Sequence, residues 1–246
     1  MENQRVLNKL LRTQDFSGSR KNLLQAERNA QSITEVEKVL AVVSDMAGGT
    51  SRIYDGGFGK TIGLKDYSSE DSIWETGILS MMSEEEQEEK YIAELRFYHY
   101  LRHQPKGIRR NSYLISKLRF NPAGKKSMDV LHRMYYVYDD DSMENVIGAI
   151  CLYGPLTFDF SGKSHVVNSL TGIAEPLTSS ANSDVLSKRE RQILTLIASG
   201  LKSEEIAERL NISKHTVSRH RQEILARLQV KNSIEACRLA KSMLLI

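Results

Sequence analysis

The sequence predicts an α+β fold in two parts: an antiparallel sheet with helices around it, followed by a bundle of four short helices. The sheet is indicated by β-branched and aromatic runs with a period of two, separated by turn residues. These runs lie at 113–120, 128–138 and 146–153. After residue 185 the apolar residues recur at helical spacing instead. We therefore predict one domain at 1–178, a polar linker at 179–184 and an all-helical domain at 185–246.

Charge is divided unevenly between the two parts. Residues 183–246 hold 12 Lys and Arg against 7 Asp and Glu, a net charge of +5. The rest of the chain holds 22 against 24, a net charge of −2. A basic module joined to a nearly neutral domain indicates a polyanionic partner that binds only the C-terminal end.

The apolar spacing of the first 45 residues predicts helices. Residues 1–30 carry a thin apolar stripe, which fits either a solvated arm or a helix that packs on a partner subunit. Thr34 can cap a helix that continues to about Asp45, because apolar residues recur at helical spacing and two glycines follow.

A glycine-rich turn at 56–59 is predicted to join two short strands, 51–54 and 60–64. A phosphate-binding loop would need a glycine where Tyr54 stands, and a dinucleotide fingerprint would need one at Ile62. Both patterns fail, so turn geometry explains the glycines and no cofactor is expected.

Two further signals complete the first domain. Ser83 and Glu86 have the spacing of a capping box, which predicts a helix that continues to about Arg102. After the three long strands, residues 164–170 predict a further strand and 173–177 a segment that returns beside it.

In the C-terminal part, helix signals follow one another closely. Ser187 and Glu190 form a capping box, and Gly200 ends that helix. Ser203 is predicted to cap a second helix and Ser213 a third, so only a tight turn separates them. Two helices joined this closely must cross steeply, as in the helix-turn-helix that places its second helix in a DNA major groove.

These residues resemble the LuxR/FixJ-type helix-turn-helix family. The matching residues are Leu186-Ser187, Arg189-Glu190, Ile197-Ala198, Gly200, Glu205-Ile206-Ala207, Ser213, Thr216-Val217, His220, Ile224 and Leu228. The chain departs from the family where Ser218 replaces a usual Lys, Ser203-Glu204 replaces Asn-Lys, and Ser233 replaces a frequent Arg. The resemblance covers about the last quarter of the chain and implies a DNA-binding transcription regulator.

The helix at 213–228 carries the predicted contacts to DNA. Its inward face holds Val217, Ile224, Leu225 and Leu228. The opposite side presents Ser218, Arg219 and Gln222 to base edges, and the resembling family reads bases from the same three positions. The predicted phosphate contacts are Lys202, Ser203, Lys214, Thr216 and Arg221.

The last helix is predicted to pair two copies of the chain. Modules of this kind usually act on paired half-sites, and this helix carries more small and apolar side chains than a three-helix core needs. The predicted dimerisation residues are Ile234, Ala236, Cys237, Leu239 and Ala240.

The layout of the first domain resembles a PAS-like sensor: a helix, two short strands, several helices, and then a meander of at least three strands. A phosphorylated receiver domain does not fit, because it needs alternating strands and helices from the start of the chain. The resemblance implies that the first domain senses a signal or pairs subunits.

Other classes of function are not indicated. We find no catalytic arrangement of side chains, no metal-ligand spacing and no signal or membrane-spanning segment, so we expect a cytoplasmic protein that is not an enzyme. The candidate partners are double-stranded DNA, a second copy of the chain, RNA polymerase and a small-molecule ligand of the first domain. The alternative is an interaction or scaffold protein whose helix-turn-helix has no specific DNA target.

Overall fold

The protein forms two compact units. The computed structural model describes residues 2–17, 20–139, 143–177, 185–228, 230–243 and 245–246. The first unit comprises Met1–Glu94 and Pro105–Pro176, and the second comprises Leu95–Gln104 and Leu177–Ile246. The predicted linker at 179–184 lies outside the described residues.

The first unit contains both helices and strands, as predicted. Its helices are α1 (Glu2–Arg12), α2 (Lys21–Glu37), α3 (Phe58–Ile62), α4 (Thr76–Leu79), α5 (Glu84–Arg102, whose last residues belong to the second unit) and α6 (Lys106–Asn111). Its strands are β1 (Leu40–Asp45), β2 (Thr50–Asp55), β3 (Ser69–Glu70), β4 (Ser112–Phe120), β5 (Met128–Tyr138), β6 (Val146–Pro155), β7 (Ser164–Asn168) and β8 (Ala174–Pro176).

The strands form one sheet in the order β3-β2-β1-β6-β5-β4-β7-β8, and each pair of neighbours is antiparallel. Helix α2 covers one face, where Leu23, Ala26 and Ala30 pack with apolar residues of β1 and β6. On the other face, Glu75 accepts a hydrogen bond from Tyr153 of β6. The predicted meander of long strands is confirmed, and helices cover it on both sides.

Residues 34–45 are not a single helix, so that prediction was wrong. Helix α2 ends at Glu37, and Lys38 takes a left-handed conformation with φ of 58°. Strand β1 then begins at Leu40 and is buried on both faces along most of its length. A central strand that is buried on both faces has an unbroken apolar run, which by spacing alone also fits a helix.

Residues 60–64 are not a strand either. The carboxylate of Asp55 accepts hydrogen bonds from the backbone amides of Gly57, Gly59 and Lys60, at 2.8, 2.8 and 3.2 Å. These bonds start α3 shortly after the end of β2, because an Asp side chain can satisfy the amides at the start of a helical turn. The first of the two predicted strands is confirmed as β2.

The N-terminal stripe packs within its own chain. Leu7, Leu10 and Leu11 on α1 are buried, and Trp74 donates a hydrogen bond to Asn8 at 3.2 Å. Helix α1 is therefore neither a solvated arm nor dependent on a partner subunit for burial of its apolar face.

The second unit contains the four predicted helices of the C-terminal part. They are α7 (Lys188–Ala198), α8 (Ser203–Leu210), α9 (Lys214–Leu228) and α10 (Ser233–Ser242). Helices α7, α8 and α9 contact one another, and α10 packs against α7 and α9. The core of these helices is made by Ile193, Leu194, Ile206, Val217 and Ile224, all of which are buried.

Candidate nucleic-acid interface

The start of α7 is fixed by the predicted capping box. The hydroxyl of Ser187 accepts from the amide of Glu190 at 3.2 Å, and a carboxylate oxygen of Glu190 accepts from the amide of Ser187 at 2.7 Å. The other oxygen of Glu190 lies 3.1 Å from Nε of Arg227 on α9, as an ion pair that lacks the alignment of a hydrogen bond. Glu190 therefore helps to hold α9 against the beginning of α7.

The turn between α8 and α9 has only three residues. Asn211 takes a left-handed conformation with φ of 51°, which ends α8. Ser213 then caps α9, because its hydroxyl accepts from the amide of Thr216 at 3.0 Å. Arg189 of α7 donates to the carbonyl of Leu210 at 2.8 Å, which further fixes the end of α8. Local contacts thus determine how α9 leaves the turn.

Ser203 is not the cap of α8, contrary to the prediction. Lys202 is the cap residue, and its amide donates to a carboxylate oxygen of Glu205 at 2.6 Å. The hydroxyl of Ser203 instead accepts from the guanidinium of Arg221 on α9 at 2.9 Å. The same guanidinium donates to the hydroxyl of Ser233, the first residue of α10, at 3.0 Å. Arg221 therefore joins three helices, a role that the sequence did not indicate.

Helix α9 has one buried face and one solvent-facing side. Val217, Ile224 and Leu228 are buried. The three predicted base-reading residues, Ser218, Arg219 and Gln222, are all exposed. The helix therefore presents to solvent the hydroxyl, guanidinium and amide groups that can contact base edges in a major groove.

Two cations of this surface are paired with carboxylates. Lys214 forms an ion pair with Glu204 of α8, and this contact lowers the pKa of the Glu204 carboxyl. Nε of Arg219 lies 3.2 Å from a carboxylate oxygen of Glu223, one turn further along α9. The i,i+4 spacing could have revealed the second pair from sequence, but the first joins two helices and has no local signal.

The remaining phosphate candidates lie at the ends of α8 and α9. Lys202 is exposed beside the start of α8, whereas Thr216 is half-buried with its hydroxyl 2.8 Å from that of Ser213. Four of the five predicted phosphate contacts thus lie at the starts of two consecutive helices, α8 and α9. The fifth is Arg221, whose side chain reaches from α9 to Ser203 and Ser233.

The predicted dimerisation residues differ in their exposure. Ile234 is 73% exposed. Cys237 is half-buried with its thiol 3.9 Å from the carbonyl of Leu194. Ala236, Leu239 and Ala240 are buried within the chain. Of the five, Ile234 therefore offers the largest apolar surface to a second copy.

Helices α7 to α10 define the class of this region, a helix-turn-helix module of the DNA-binding type. Residues 184–240 match the family described as "Bacterial regulatory proteins, luxR family". This part of the chain is therefore a luxR-family helix-turn-helix domain, as the sequence motifs predict.

Curated relatives match this same part of the chain. A putative HTH-type transcriptional regulator, YhjB of Escherichia coli (strain K12), is 47% identical over 51 residues, which are 21% of this chain and 26% of the relative. The oxygen regulatory protein NreC of Staphylococcus aureus (strain JH9) is 36% identical over 86 residues, which are 31% of this chain and 40% of NreC. The chain thus spans well under half of the length of these relatives.

Solved structures match over a greater length at low similarity. A phage VqmA–DPO complex aligns with 89% of this chain and 87% of its own, at 15% identity and a TM-score of 0.34. SdiA of Escherichia coli aligns with 100% of this chain and 98% of its own, at 14% identity and a TM-score of 0.30.

Within the described residues, His, Cys, Asp and Glu side chains nowhere gather in a group of three or more that could hold a metal ion. The helices in the described part of the chain include none with the length and apolar character needed to cross a membrane.

Proposed function

We propose that the protein is a transcription regulator that reads duplex DNA in the major groove with α9. The observation that carries this proposal is the solvent-facing side of α9, where Ser218, Arg219 and Gln222 are exposed on a helix whose opposite face is buried. Arg219 suits the two acceptors of guanine, and Gln222 suits the acceptor and donor of adenine.

The proposed phosphate contacts set the register of α9 in the groove. Lys202, Ser203 and Thr216 lie near helix N-termini, whose dipole favours phosphate oxygens. Lys214 would exchange its contact with Glu204 for a phosphate. Arg221 would contribute to phosphate binding in two ways: its hydrogen bond positions Ser203, and its own charge attracts a phosphate.

Selection from a pool of random duplexes tests the proposal. The full chain should enrich a short sequence that it binds at least about 10³-fold more tightly than random duplex at physiological salt. Its affinity should fall steeply as salt rises, because phosphate contacts release counterions. If no sequence is enriched, the interaction or scaffold alternative is favoured and the regulator proposal is wrong.

We propose that the first unit is a PAS-like sensor that controls the DNA-binding domain. Its support is the order of elements: helix α2, strands β1 and β2, the helices α3 to α6, and then strands β4 to β6. A small-molecule ligand of this unit is the proposed signal. Removal of residues 1–180 should then change DNA affinity, and equal affinity of the truncated and full chains would contradict the sensor role.

We also propose that two copies bind paired half-sites, with Ile234 at the contact between them. Sedimentation with saturating protein should give two chains per duplex, and Ile234→Glu should reduce this to one. One chain per duplex for the unaltered protein would rule out the dimer.

DNA as the target implies a cytoplasmic location, and RNA polymerase is the further partner that a regulator would engage.

A further inference from the structure

Helix α9 carries a fourth polar residue on its solvent-facing side. His215 is the second residue of α9 and is exposed. Within the described residues, its imidazole has no hydrogen bond, ion pair or ring contact. The neighbouring cations differ, because Lys214 is paired with Glu204 and Arg219 with Glu223. The imidazole of His215 can therefore bind another molecule without giving up a contact.

Helical geometry places His215 on the predicted base-reading side of α9. Successive residues of an α-helix are turned by about 100° about its axis. Ser218, Arg219 and Gln222 follow His215 by three, four and seven residues. All three therefore point within about 60° of the direction of His215.

The buried face of α9 lies on the opposite side from His215. The directions of Val217, Ile224 and Leu228, which are buried, differ from that of His215 by about 140–180°. A helix that packs on its own domain through this face points the imidazole outward. When α9 lies in a major groove, the outward direction is toward the base edges.

The predicted phosphate contacts beside His215 support the same orientation. Lys214 and Thr216 directly precede and follow it, so their side chains point about 100° to either side. A helix in the major groove has a phosphate backbone on each side and base edges in front of it. The two flanking residues thus face the backbones, while His215 faces the bases.

His215 also lies at the end of α9 that enters the groove. In helix-turn-helix proteins, the N-terminal residues of the recognition helix contact base edges. At the other end, the next exposed residue on this side after Gln222 is Ala226, whose methyl group neither donates nor accepts a hydrogen bond. The polar surface therefore continues beyond the three predicted residues only toward the start of the helix.

We propose that His215 is a fourth base-reading residue, which donates a hydrogen bond to guanine at one further base pair of the site. This inference rests on the proposed reading of duplex DNA by α9. A ring nitrogen that carries hydrogen is a donor, and guanine offers two acceptors in the major groove, N7 and O6. Adenine offers one acceptor beside a donor, thymine one acceptor beside a methyl group, and cytosine only a donor. Guanine therefore suits the imidazole best.

The spacing along α9 indicates which base pair His215 reads. At about 1.5 Å per residue, His215 lies about 6 Å before Arg219 along the helix axis. Successive base pairs are about 3.4 Å apart. His215 should therefore read a base pair about one or two positions from the pair that Arg219 reads, on the side away from Gln222.

Selection from random duplexes by the full chain and its variants tests the proposal. The unaltered protein should favour guanine at this position, and His215→Ala should reduce that preference by about 2- to 10-fold, the effect of one hydrogen bond. His215→Gln should move the preference toward adenine at the same base pair, because an amide side chain pairs with N6 and N7 of adenine. The preferences at the pairs read by Arg219 and Gln222 should not change.

Lys214→Ala is the matched control, since Lys214 is the adjacent residue and its predicted contact is a phosphate. It should weaken binding to all duplexes alike and leave every base preference unchanged. Thermal unfolding would establish that each variant folds, and the change of preference in His215→Gln requires no loss of binding. If His215→Ala weakens all duplexes alike, or His215→Gln keeps the preference for guanine, His215 does not read a base and the proposal is wrong.

Arg219→Ala separates failure of this proposal from failure of the proposed function. If Arg219→Ala relaxes the choice of one base pair and neither His215 variant alters any choice, α9 reads DNA without His215 and only this proposal is overturned. If the unaltered protein enriches no sequence, this proposal and the regulator proposal are both overturned.

Discussion

Replacement of Arg219 by Ala should remove one direct contact to a base. A paired contact between Arg and guanine contributes about 1–3 kcal/mol of discrimination against a wrong base. In the free protein Arg219 is 67% exposed and lies 3.2 Å from Glu223, which is 41% exposed. Exposed pairs at this helical spacing contribute about 0.3–0.5 kcal/mol, and Arg219 must give up this contact to reach a base. The net cost of Arg219→Ala is therefore about 0.5–2.5 kcal/mol, or about 2- to 70-fold in Kd.

Glu223→Gln should act in the opposite direction. It releases Arg219 and should tighten binding to the preferred duplex by up to about twofold. When Arg219 is already Ala, Glu223→Gln should give less of this gain, because no guanidinium remains to be released. A double-mutant cycle therefore isolates the coupling between the two side chains.

Fluorescence anisotropy with the preferred duplex, and with duplexes altered at one base pair, measures these effects. Arg209→Ala removes the same charge from an exposed position of α8 outside the predicted contacts and serves as the control. It should weaken all duplexes slightly and equally. If Arg219→Ala keeps the full discrimination of the unaltered protein at every base pair, α9 does not lie in the groove as proposed.

Three further changes test the same surface. Lys214→Ala should weaken binding to every duplex alike and lower the slope of log affinity against log salt by about one, whereas Glu204→Gln should strengthen binding to every duplex. Titrations at several salt concentrations measure both changes, and a sequence-dependent loss of affinity would show that Lys214 reads bases. Arg221→Ala removes hydrogen bonds to two serines and should lower the stability of the second unit by about 1–2 kcal/mol. Arg221→Lys keeps the charge and serves as its control, and unchanged thermal unfolding of the Ala variant would mean that these hydrogen bonds contribute nothing to stability. Ser187→Ala should cost about 1 kcal/mol and speed amide exchange in the first turn of α7, and equal exchange rates would show that the cap does not stabilise this helix.

Signals confined to a few neighbouring residues predicted the second unit well. The capping box of Ser187 and Glu190 and the cap at Ser213 act within three residues, so their chemistry is present in the sequence itself. The exposed side of α9 followed from the spacing of Val217, Ile224 and Leu228. The predicted roles in base and phosphate contact remain predictions, since they depend on a DNA complex.

Two patterns in the first unit led to wrong predictions. The run through Val42 and Val43 fits a helix by its spacing, yet it lies in a strand between β2 and β6 that is buried on both faces. Residues 60–62 became part of α3 because the carboxylate of Asp55 accepts hydrogen bonds from the amides of Gly59 and Lys60. The neighbouring strand β6 comes from a distant part of the chain, whereas Asp55 lies only four or five residues from these amides and was a local signal that the prediction of a strand did not use.

The sequence by itself determined where α7 and α9 begin and which side of α9 is polar, because capping and helical periodicity act over four residues or fewer. Only the tertiary structure decided which side chains come into contact. Lys214 pairs with Glu204, Arg221 donates hydrogen bonds to Ser203 and Ser233, and Lys90 is buried beside Glu75 and Glu94. Most of these partners come from different elements, and burial strengthens the contacts among Lys90, Glu75 and Glu94 by excluding water. Pairing and burial are set by the packing of whole helices and strands, so no short stretch of the sequence contains them.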